Sequence, residues 1–396
     1  MVDSPVRWIS TARSGQARAG TLVTPHGSVA TPCFMAVGTL GALKGVTVEQ
    51  ARGVGQGVLL ANTYHLALRP GPEVVHELGG LHAFCGWPGP MLTDSGGYQV
   101  FSLARNRVIS ETGVRFRSHL DGAPMLLTPE ESIRIQRLLG ADVIMAFDEC
   151  PAADAGRDYA ATSMALTLRW LDRSIAAWRE PDGPGGATSQ ALYGIVQGGM
   201  FPDLRLESAA ATAERDLPGI AIGGLAVGEE RSQRNAILDG LMPHLPNDRP
   251  RYLMGVGTPS DLLDAVERGV DQFDCVLPTR MGRHGIAYTD DGPLHLKRRQ
   301  YATDRTPLDP DTPSPAAGLS RGYLRHLIRA GEPLAGVLLS IHNLAYYNRF
   351  MSRIRAAICD GELAGFARRW RAQHDPIAPA GEHEQREAAC PEAPGA

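Results

Sequence analysis

Three aspartates of this 396-residue chain lie where short apolar runs of sequence end, a position that suits reactive groups. Asp94 follows the run in PMLTDSGG, Asp148 follows the run in DVIMAFDEC, and Asp274 lies in QFDCVLPTR. Two carboxyl groups in one pocket suit chemistry at the anomeric carbon of a sugar. One can attack and form a glycosyl ester, while the other transfers protons to and from the departing and arriving groups. Each aspartate could instead cap the helix that follows it, and for a single aspartate the two interpretations are equally good.

Other residues at such run ends favour a pocket over three separate helix caps. Gln197 follows the run in ALYGIVQGG, and Gly224 lies in GIAIGGLAVG. A glutamine amide, a carboxylate and bare glycine backbone can together bind the hydrogen-bonding edge of a purine. Tyr98 and Met254 could cover the two faces of that base, although a place in the core explains both side chains equally well. Because exchange of a base must preserve the β-nucleoside, we expect two displacements through a covalent intermediate.

The elements that must position these residues can be predicted from the alternation of two patterns. Seven short apolar runs between residues 59 and 277 alternate with stretches of helical spacing, among them 129–140, 159–178 and 203–216. Thr128, followed by a proline, is typical of a helix N-terminus. About seven or eight such units predict an α/β protein with a closed TIM (β/α)8 barrel, in which strand ends meet at one mouth. An open doubly wound sheet is the second choice, weakened because no GxGxxG follows the first strand.

The C-terminal third departs from this alternation. Residues 292–319 combine a basic cluster with the proline-rich stretch PLDPDTPSPAAG, and helical spacing returns at 320–331 and 341–360. Beyond about residue 374 the chain is rich in Pro, Ala, Glu and Gly, which is typical of a disordered tail. We therefore expect four parts: the main part of the catalytic barrel (1–291), a loop subdomain (292–319), C-terminal helices that complete the barrel (320–373) and a disordered tail (374–396).

The composition limits the class of protein. Hydrophobic residues make up 43% of the chain, enough for a sizeable core. The net charge of −4 excludes a protein that binds nucleic acid over its whole surface, but it allows a local basic patch. The six cysteines are scattered, which suits neither a disulfide framework nor a thiolate metal site. Neither an eighteen-residue apolar run nor the apolar centre of a signal peptide occurs, so we expect a cytoplasmic protein without membrane contact.

Ten stretches within about residues 31–351 resemble the tRNA-guanine transglycosylase family in its bacterial form. They read FMAVGTLGALKG, LLANTYHLALRPG, LTDSGGYQVFSL, LTPEESIRIQ, GADVIMAFDEC, GIVQGG, IGGLAVGE, YLMGVGTP, FDCVLPTRMGRHG and HNLAYYNRFM. The segments DSGGYQVFSL and FDCVLPTR are highly specific. The resemblance implies a TIM barrel that exchanges guanine for a 7-deazaguanine, such as preQ0 or preQ1, on a ribose in queuosine-type tRNA modification.

The resemblance also implies roles, position by position. Asp274 matches the nucleophile and Asp94 the general acid/base. The residues that match base recognition are Asp148, Cys150, Gln197, Gly224 and Leu225, with Tyr98 and Met254 as the pair that stacks on the base. Arg280 and Arg283, in TRMGRHG, match arginines that contact the nucleic acid. Without the resemblance, exposed loop charges would be the simpler interpretation of those arginines.

One part of the family pattern is missing. Family members carry Cys-x-Cys-x-x-Cys after PLDP and a histidine in the later HN motif, and these four residues bind a structural zinc. Here residues 311–317 read DTPSPAA, and only His342 of the four ligands remains. Because one imidazole cannot hold tetrahedral zinc, we expect no metal and no other cofactor, and residues 292–319 are interpreted as a degenerate zinc-type subdomain.

These observations leave three functional hypotheses. The first is the family's activity on the wobble guanosine of a tRNA, which the intact TRMGRHG segment favours. The second is transfer of a deazapurine onto a free nucleoside or nucleotide, as in deazapurine natural-product biosynthesis. The altered metal site and Thr258, where the family usually has lysine, favour this second hypothesis, because each lost phosphate contact weakens nucleic-acid binding. The third, a catalytically silent accessory subunit, is disfavoured because both Asp94 and Asp274 are present. A homodimer is the family's habit, although the altered subdomain belongs to that contact.

Overall fold

The computed structural model describes residues 4–103, 107–181 and 190–374. Its strands are β1 (Arg7–Ser14), β2 (Ala17–Thr24), β3 (Gly27–Thr31), β4 (Cys33–Val37), β5 (Leu59–Ala61), β6 (Met91–Thr93), β7 (Val108–Ser110), β8 (Gly113–Arg117), β9 (Pro124–Leu127), β10 (Val143–Met145), β11 (Ala191–Val196), β12 (Gly219–Ile222), β13 (Arg251–Leu253), β14 (Gln272–Cys275), β15 (Ile286–Thr289) and β16 (Gly292–His295). The α-helices are α1 (Val48–Gly53), α2 (Thr63–Leu68), α3 (Pro72–Glu77), α4 (Gly80–Cys85), α5 (Gly97–Leu103), α6 (Pro129–Leu139), α7 (Arg157–Trp178), α8 (Pro202–Ala213), α9 (Arg231–Leu241), α10 (Pro259–Glu267), α11 (Leu277–Arg283), α12 (Arg321–Ala330), α13 (Pro333–Cys359) and α14 (Leu363–His374). Short 3-10 helices lie at Met242–His244 and Arg299–Tyr301.

Eight parallel strands form a closed barrel in the order β4-β5-β6-β10-β11-β12-β13-β14, with β14 paired to β4. The prediction of a TIM-type α/β barrel is therefore confirmed, and the open doubly wound sheet is excluded. Every residue of β5, β6, β10, β11, β12 and β13 is buried. Because such strands are covered on both faces, they are apolar at nearly every position, and this is why they appear as continuous runs in the sequence.

The strand β4 was not placed by the sequence analysis. It precedes the segment in which the alternation was recognised, and it follows the antiparallel sheet β1-β2-β3 instead of a helix. A second antiparallel sheet, β7-β8-β9, lies between β6 and α6. These two sheets interrupt the repeating strand–helix unit, so the pattern of alternation could not reveal them.

The predicted helices at 129–140, 159–178 and 203–216 are confirmed as α6, α7 and α8. Helix α6 begins as expected, because the Thr128 hydroxyl accepts a hydrogen bond from the Glu131 amide at 3.1 Å. Helix α13 begins at Pro333, eight residues before the predicted start at 341. Its first turns read PLAGVLLS, which is apolar almost throughout, so no polar face marks the helical period there.

The sheet β1-β2-β3 is tied to the amino ends of the barrel strands. Arg18 is fully buried and forms an ion pair with Asp271, which directly precedes β14. The guanidinium of Arg18 also lies 4.2 Å from the ring centre of Trp8. Asp271 accepts a further hydrogen bond from the Arg251 amide at 2.7 Å, and Arg251 begins β13. This sheet therefore covers the end of the barrel opposite the strand carboxyl ends.

The C-terminal part packs on the outside of the barrel. The hairpin β15-β16 leads to the proline-rich stretch and to α12, and helix α13 packs against α11 and β15. None of the helices in the described ranges is long and apolar enough to cross a membrane. The predicted disordered tail falls on residues 374–396, of which 375–396 lie outside the described residues. The division of the chain at residues 291, 319 and 373 stays a prediction.

Candidate active site

The residues predicted for a pocket all lie at the carboxyl ends of barrel strands. Asp94, Gln197 and Met254 directly follow β6, β11 and β13. Asp148 and Gly224 lie shortly beyond the ends of β10 and β12, and Asp274 is the next-to-last residue of β14. The carboxyl ends of parallel strands in a closed barrel surround a single mouth. The prediction that these strand ends converge is thus confirmed at the level of the fold.

Asp94 is held in a fixed orientation below the surface of this mouth. Its side chain accepts hydrogen bonds from the Asn62 amide at 2.5 Å and from the Thr63 backbone amide at 2.8 Å. Burial raises the pKa of Asp94 to about 6. The two hydrogen bonds oppose this rise, and the charge of Asp274 adds to it. A carboxyl group with a pKa near neutrality can both donate and accept a proton at working pH.

Asp274 is oriented by two different donors. The Tyr252 hydroxyl donates to Oδ1 at 2.6 Å, and the Gly255 amide donates to the same oxygen at 2.7 Å. Burial raises the pKa of Asp274, while these two hydrogen bonds lower it by stabilising the ionised form. Asp94 and Asp274 lie at the carboxyl ends of two strands of one closed barrel, so both carboxyl groups lie at the same mouth. Sequence analysis missed Tyr252, since a tyrosine inside a buried strand gives no signal beyond core packing.

A third carboxyl group, Asp148, is paired with an amide. It accepts hydrogen bonds from the Gln197 side chain at 2.8 Å and from the Ser95 hydroxyl at 3.2 Å. Burial raises the pKa of Asp148 to about 6, and the nearby charges of Glu149 and Asp94 contribute to this rise. Gln197 is fully buried, and its Oε1 has no hydrogen-bond partner among the described residues. The pair therefore presents a carboxylate and an amide side by side.

The glycine backbone beside Gln197 is fixed by a buried arginine. The Arg205 guanidinium donates to the carbonyls of Gly199, Gly223 and Gly224 at 2.8, 2.6 and 3.1 Å. Burial lowers the pKa of Arg205 to about 10. Gly224 has a φ of +65°, and a Cβ atom there would lie 2.5 Å from Gln197 Oε1. A glycine is thus required for the loop to approach the amide. Sequence analysis missed Arg205, because a charged residue in a helical pattern is normally exposed.

The residues that follow Gly224 contribute backbone to the site. The Leu225 side chain is buried in the core, so only its peptide groups can face a ligand. Ala226 has a φ of +112°, which is strained for a residue with a Cβ atom. The Glu229 carboxylate accepts a hydrogen bond from the Val227 amide at 2.9 Å and pairs with Arg234 at 3.0 Å. These contacts hold the segment in its strained conformation.

Cys150, Tyr98 and Met254 line the same region with different exposure. Burial raises the pKa of the Cys150 thiol to about 12, so the thiol stays protonated, and its pKa also responds to Asp148 and Gln197. The Tyr98 side chain is 49% exposed at the start of α5, and its pKa is raised by burial and by the nearby Cys150 and Cys275. Met254 is partly buried and packs against the cluster inside the barrel. An exposed tyrosine and a partly exposed methionine at the mouth fit a stacking role.

Arg280 and Arg283 both lie on α11, the short helix that directly follows β14. Arg280 is half-buried. Burial raises the pKa of Cys275, the neighbour of Asp274, to about 12, and the nearby charge of Arg280 opposes this rise. Arg283 is exposed. Both arginines therefore lie beside the mouth, where a large polyanionic ligand would have to pass.

The stretch that corresponds to the family's zinc loop is held by other contacts. Both ring nitrogens of His342 are used, since Nδ1 lies 2.9 Å from the Ser314 hydroxyl and Nε2 lies 2.9 Å from the Tyr288 carbonyl. The Thr312 hydroxyl donates to Asp309 at 2.7 Å. These residues do not fit a tetrahedral zinc, because they supply no thiolate and the imidazole is already hydrogen-bonded on both sides.

Comparison with known proteins identifies the family of this chain. Residues 13–376 match the family model described as queuine tRNA-ribosyltransferase. A queuine tRNA-ribosyltransferase of Thermus thermophilus is 53% identical over 365 residues, which cover 92% of this chain and 93% of the relative. Proteins of the same name from Gluconacetobacter diazotrophicus and Zymomonas mobilis are 52% and 49% identical, over 94% and 92% of this chain and 95% and 94% of their own lengths. The chain belongs to the queuine tRNA-ribosyltransferase family.

Proposed function

We propose that this chain replaces guanine with a 7-deazaguanine at a tRNA wobble nucleoside through a covalent aspartyl-ribosyl intermediate. The observation that supports this most strongly is the pair Asp94 and Asp274, a buried and a half-buried carboxyl group at strand ends that surround one barrel mouth. Family membership supports tRNA as the acceptor. The relatives are named queuine tRNA-ribosyltransferases, and this chain matches them over more than nine tenths of their length.

In the first step, Asp274 attacks C1′ of the ribose. Because Tyr252 and Gly255 both hold Oδ1, we assign the attack to Oδ2. The bond from C1′ to Oδ2 forms as the bond from C1′ to N9 of guanine breaks, and the departing base takes a proton from Asp94. Asp274 must be ionised for this step, and its two hydrogen bonds favour that form.

In the second step, the incoming base loses its N9 proton to Asp94 and its nitrogen displaces the carboxylate of Asp274 from C1′. Two inversions restore the β configuration, and both carboxyl groups return to their starting states. A pKa of about 6 suits Asp94 to both steps, because its protonated and ionised forms are both accessible near neutral pH.

The base is bound by groups that complement a guanine edge. The Asp148 carboxylate can accept hydrogen bonds from N1–H and from the exocyclic amine, while Gln197 and the backbone at Gly224 and Leu225 meet the carbonyl oxygen. Cys150 contributes a neutral thiol beside this edge. Tyr98 and Met254 cover the faces of the ring, and we propose that Arg280 and Arg283 contact the adjoining phosphates.

The other hypotheses are less well supported. Transfer to a free nucleoside is not favoured, since the relatives with about 50% identity are named for tRNA. A silent accessory subunit is disfavoured because both catalytic carboxyl groups are present and oriented. The cytoplasmic location and the homodimer stay predictions.

We also propose that the position of the family's zinc carries none in this chain. The hydrogen bonds that join His342 to the Ser314 hydroxyl and the Tyr288 carbonyl, together with the bond from Thr312 to Asp309, support this proposal. These hydrogen bonds hold the loop around Thr312 and Ser314 in place without a metal ion.

The test is incorporation of labelled guanine by the purified full chain, with unmodified tRNA in one reaction and guanosine or its monophosphate in the other. We expect incorporation into tRNA alone, abolished in Asp274→Asn. Asp248→Asn is a matched control, because Asp248 is exposed and precedes β13 at the opposite end of the barrel. Incorporation into the free nucleoside but not into tRNA would contradict the proposed acceptor.

A further inference from the structure

A second cluster of ligand-type side chains lies at the opposite end of the barrel from the catalytic mouth. His26 occupies the turn between β2 and β3, His82 lies on α4, and Asp142 directly precedes β10. One ligand atom from each residue lies within 4.8 Å of the others. None of these residues contributes to the site described above.

Asp142 is fixed at the centre of this cluster. Its side chain is fully buried, and Oδ2 accepts a hydrogen bond at 2.9 Å from the amide of Met91, the first residue of β6. Oδ1 lies 2.8 Å from His26 Nδ1. The carboxylate therefore links the turn of the β2-β3 hairpin to two barrel strands.

The orientation of His82 leaves one of its nitrogens facing this carboxylate. Nδ1 lies 3.2 Å from the Trp87 carbonyl, which only accepts hydrogen bonds, so Nδ1 carries a proton. In neutral His82 the lone pair is then on Nε2, a buried atom without a hydrogen-bond partner among the described residues. Nε2 lies 3.5 Å from Asp142 Oδ2, so two electron-rich atoms face each other.

This arrangement has the features of a metal ligand pair. Two ligands of a tetrahedral zinc ion, each about 2.0–2.1 Å from it, lie about 3.3 Å apart, close to the observed separation. A ligating histidine commonly donates its other N–H to a backbone carbonyl, as His82 does to Trp87. A cation bound between Nε2 and Oδ2 would give the buried Nε2 a partner.

We propose that His26, His82 and Asp142 form a binding site for a divalent transition-metal ion of the zinc class. In the present structure the ring of His26 stacks on that of His82 with centroids 3.5 Å apart. It must turn out of this stack to direct a lone pair at the ion. Its side chain is 41% exposed, which leaves room for that rotation and for a water molecule as the fourth ligand. The ion would tie the hairpin to α4 and the barrel base, far from the reacting atoms.

The experiment uses the full chain, dialysed against a chelator and then titrated with Co²⁺, whose visible spectrum reports coordination, and with Zn²⁺ in competition. We expect one ion of tetrahedral character per chain, bound at least about tenfold more weakly in His82→Gln and in His26→Gln, since even the partners of ligands contribute that much. His26→Gln changes an exposed turn, so its loss of binding cannot be ascribed to failed folding.

Two matched variants serve as controls. His76→Gln alters an exposed histidine on α3, and His342→Gln alters the remnant of the family's zinc position, and both should bind Co²⁺ as the wild type does. Failure of the wild type to bind either ion would overturn the proposal, as would binding by His26→Gln and His82→Gln as tight as that of the wild type. Loss of binding in His342→Gln alone would assign the ion to the other site and overturn it as well.

Discussion

Asp94→Asn should change how the stability of this protein depends on pH. Burial raises the pKa of Asp94 from the ordinary 3.8 to about 6, so the folded protein binds this proton more tightly than the unfolded chain does. The resulting stabilisation is complete below about pH 4 and is lost as the pH rises through 6. Integrating the difference in bound protons from pH 5 to pH 8 gives a loss on the order of 1 kcal/mol from this group alone.

The assay is the free energy of unfolding in urea at these two pH values, for wild type, Asp94→Asn and the exposed control Asp248→Asn. We expect the wild type and Asp248→Asn to lose on the order of 1 kcal/mol more than Asp94→Asn does between pH 5 and pH 8. The comparison of slopes removes the cost of the altered bonds to Asn62 and Thr63, because that cost is nearly independent of pH. Equal pH dependence in all three proteins would refute the assignment of a raised pKa to Asp94.

Three further predictions concern the glycine loop, the base pocket and the position of the family's zinc. Arg205→Met should lower the free energy of unfolding by about 3 kcal/mol or more, measured by urea denaturation, because it leaves several buried carbonyls without a donor; a change within error would show that the guanidinium does not hold the glycine loop. Gly224→Ala should raise KM for the base roughly tenfold or more, because its Cβ displaces the Gln197 amide, whereas Gly86→Ala, at a similar φ of +70° with nothing within 4 Å, should leave KM unchanged. The zinc content of the purified protein, measured by mass spectrometry, should not change in His342→Gln, and a loss of one equivalent would show that the family's site is retained.

The barrel, and the placement of the candidate site residues at the ends of its strands, could be predicted because both depend on local sequence. Strands buried on both faces appear as apolar runs, and polar residues such as Asp94 and Gln197 stand out where those runs end. In a closed barrel of parallel strands, the carboxyl ends of all the strands lie at one mouth, so the fold alone predicts that these residues lie together. The strand β4 escaped because it follows an antiparallel sheet, which breaks the repeating unit.

The residues that orient the catalytic groups could not be predicted in the same way. Tyr252 lies inside an apolar run, where a tyrosine cannot be told from an ordinary core residue. Arg205 lies inside a helix, where an arginine cannot be told from an ordinary surface residue. Their roles depend on contacts between segments distant in sequence, such as the 2.6 Å bond from Arg205 to the Gly223 carbonyl. The cluster of His26, His82 and Asp142 likewise joins three segments that share no motif.

The covalent step can be tested by trapping. Purified protein is incubated with unmodified tRNA, denatured, and examined by gel electrophoresis and intact mass for an enzyme–tRNA adduct, with peptide mapping of the attached residue. We expect the wild type to carry ribose on Asp274 and the adduct to be absent in Asp274→Asn. An adduct that persists in Asp274→Asn, or near-normal base exchange by that variant, would contradict the assignment of Asp274 as the nucleophile.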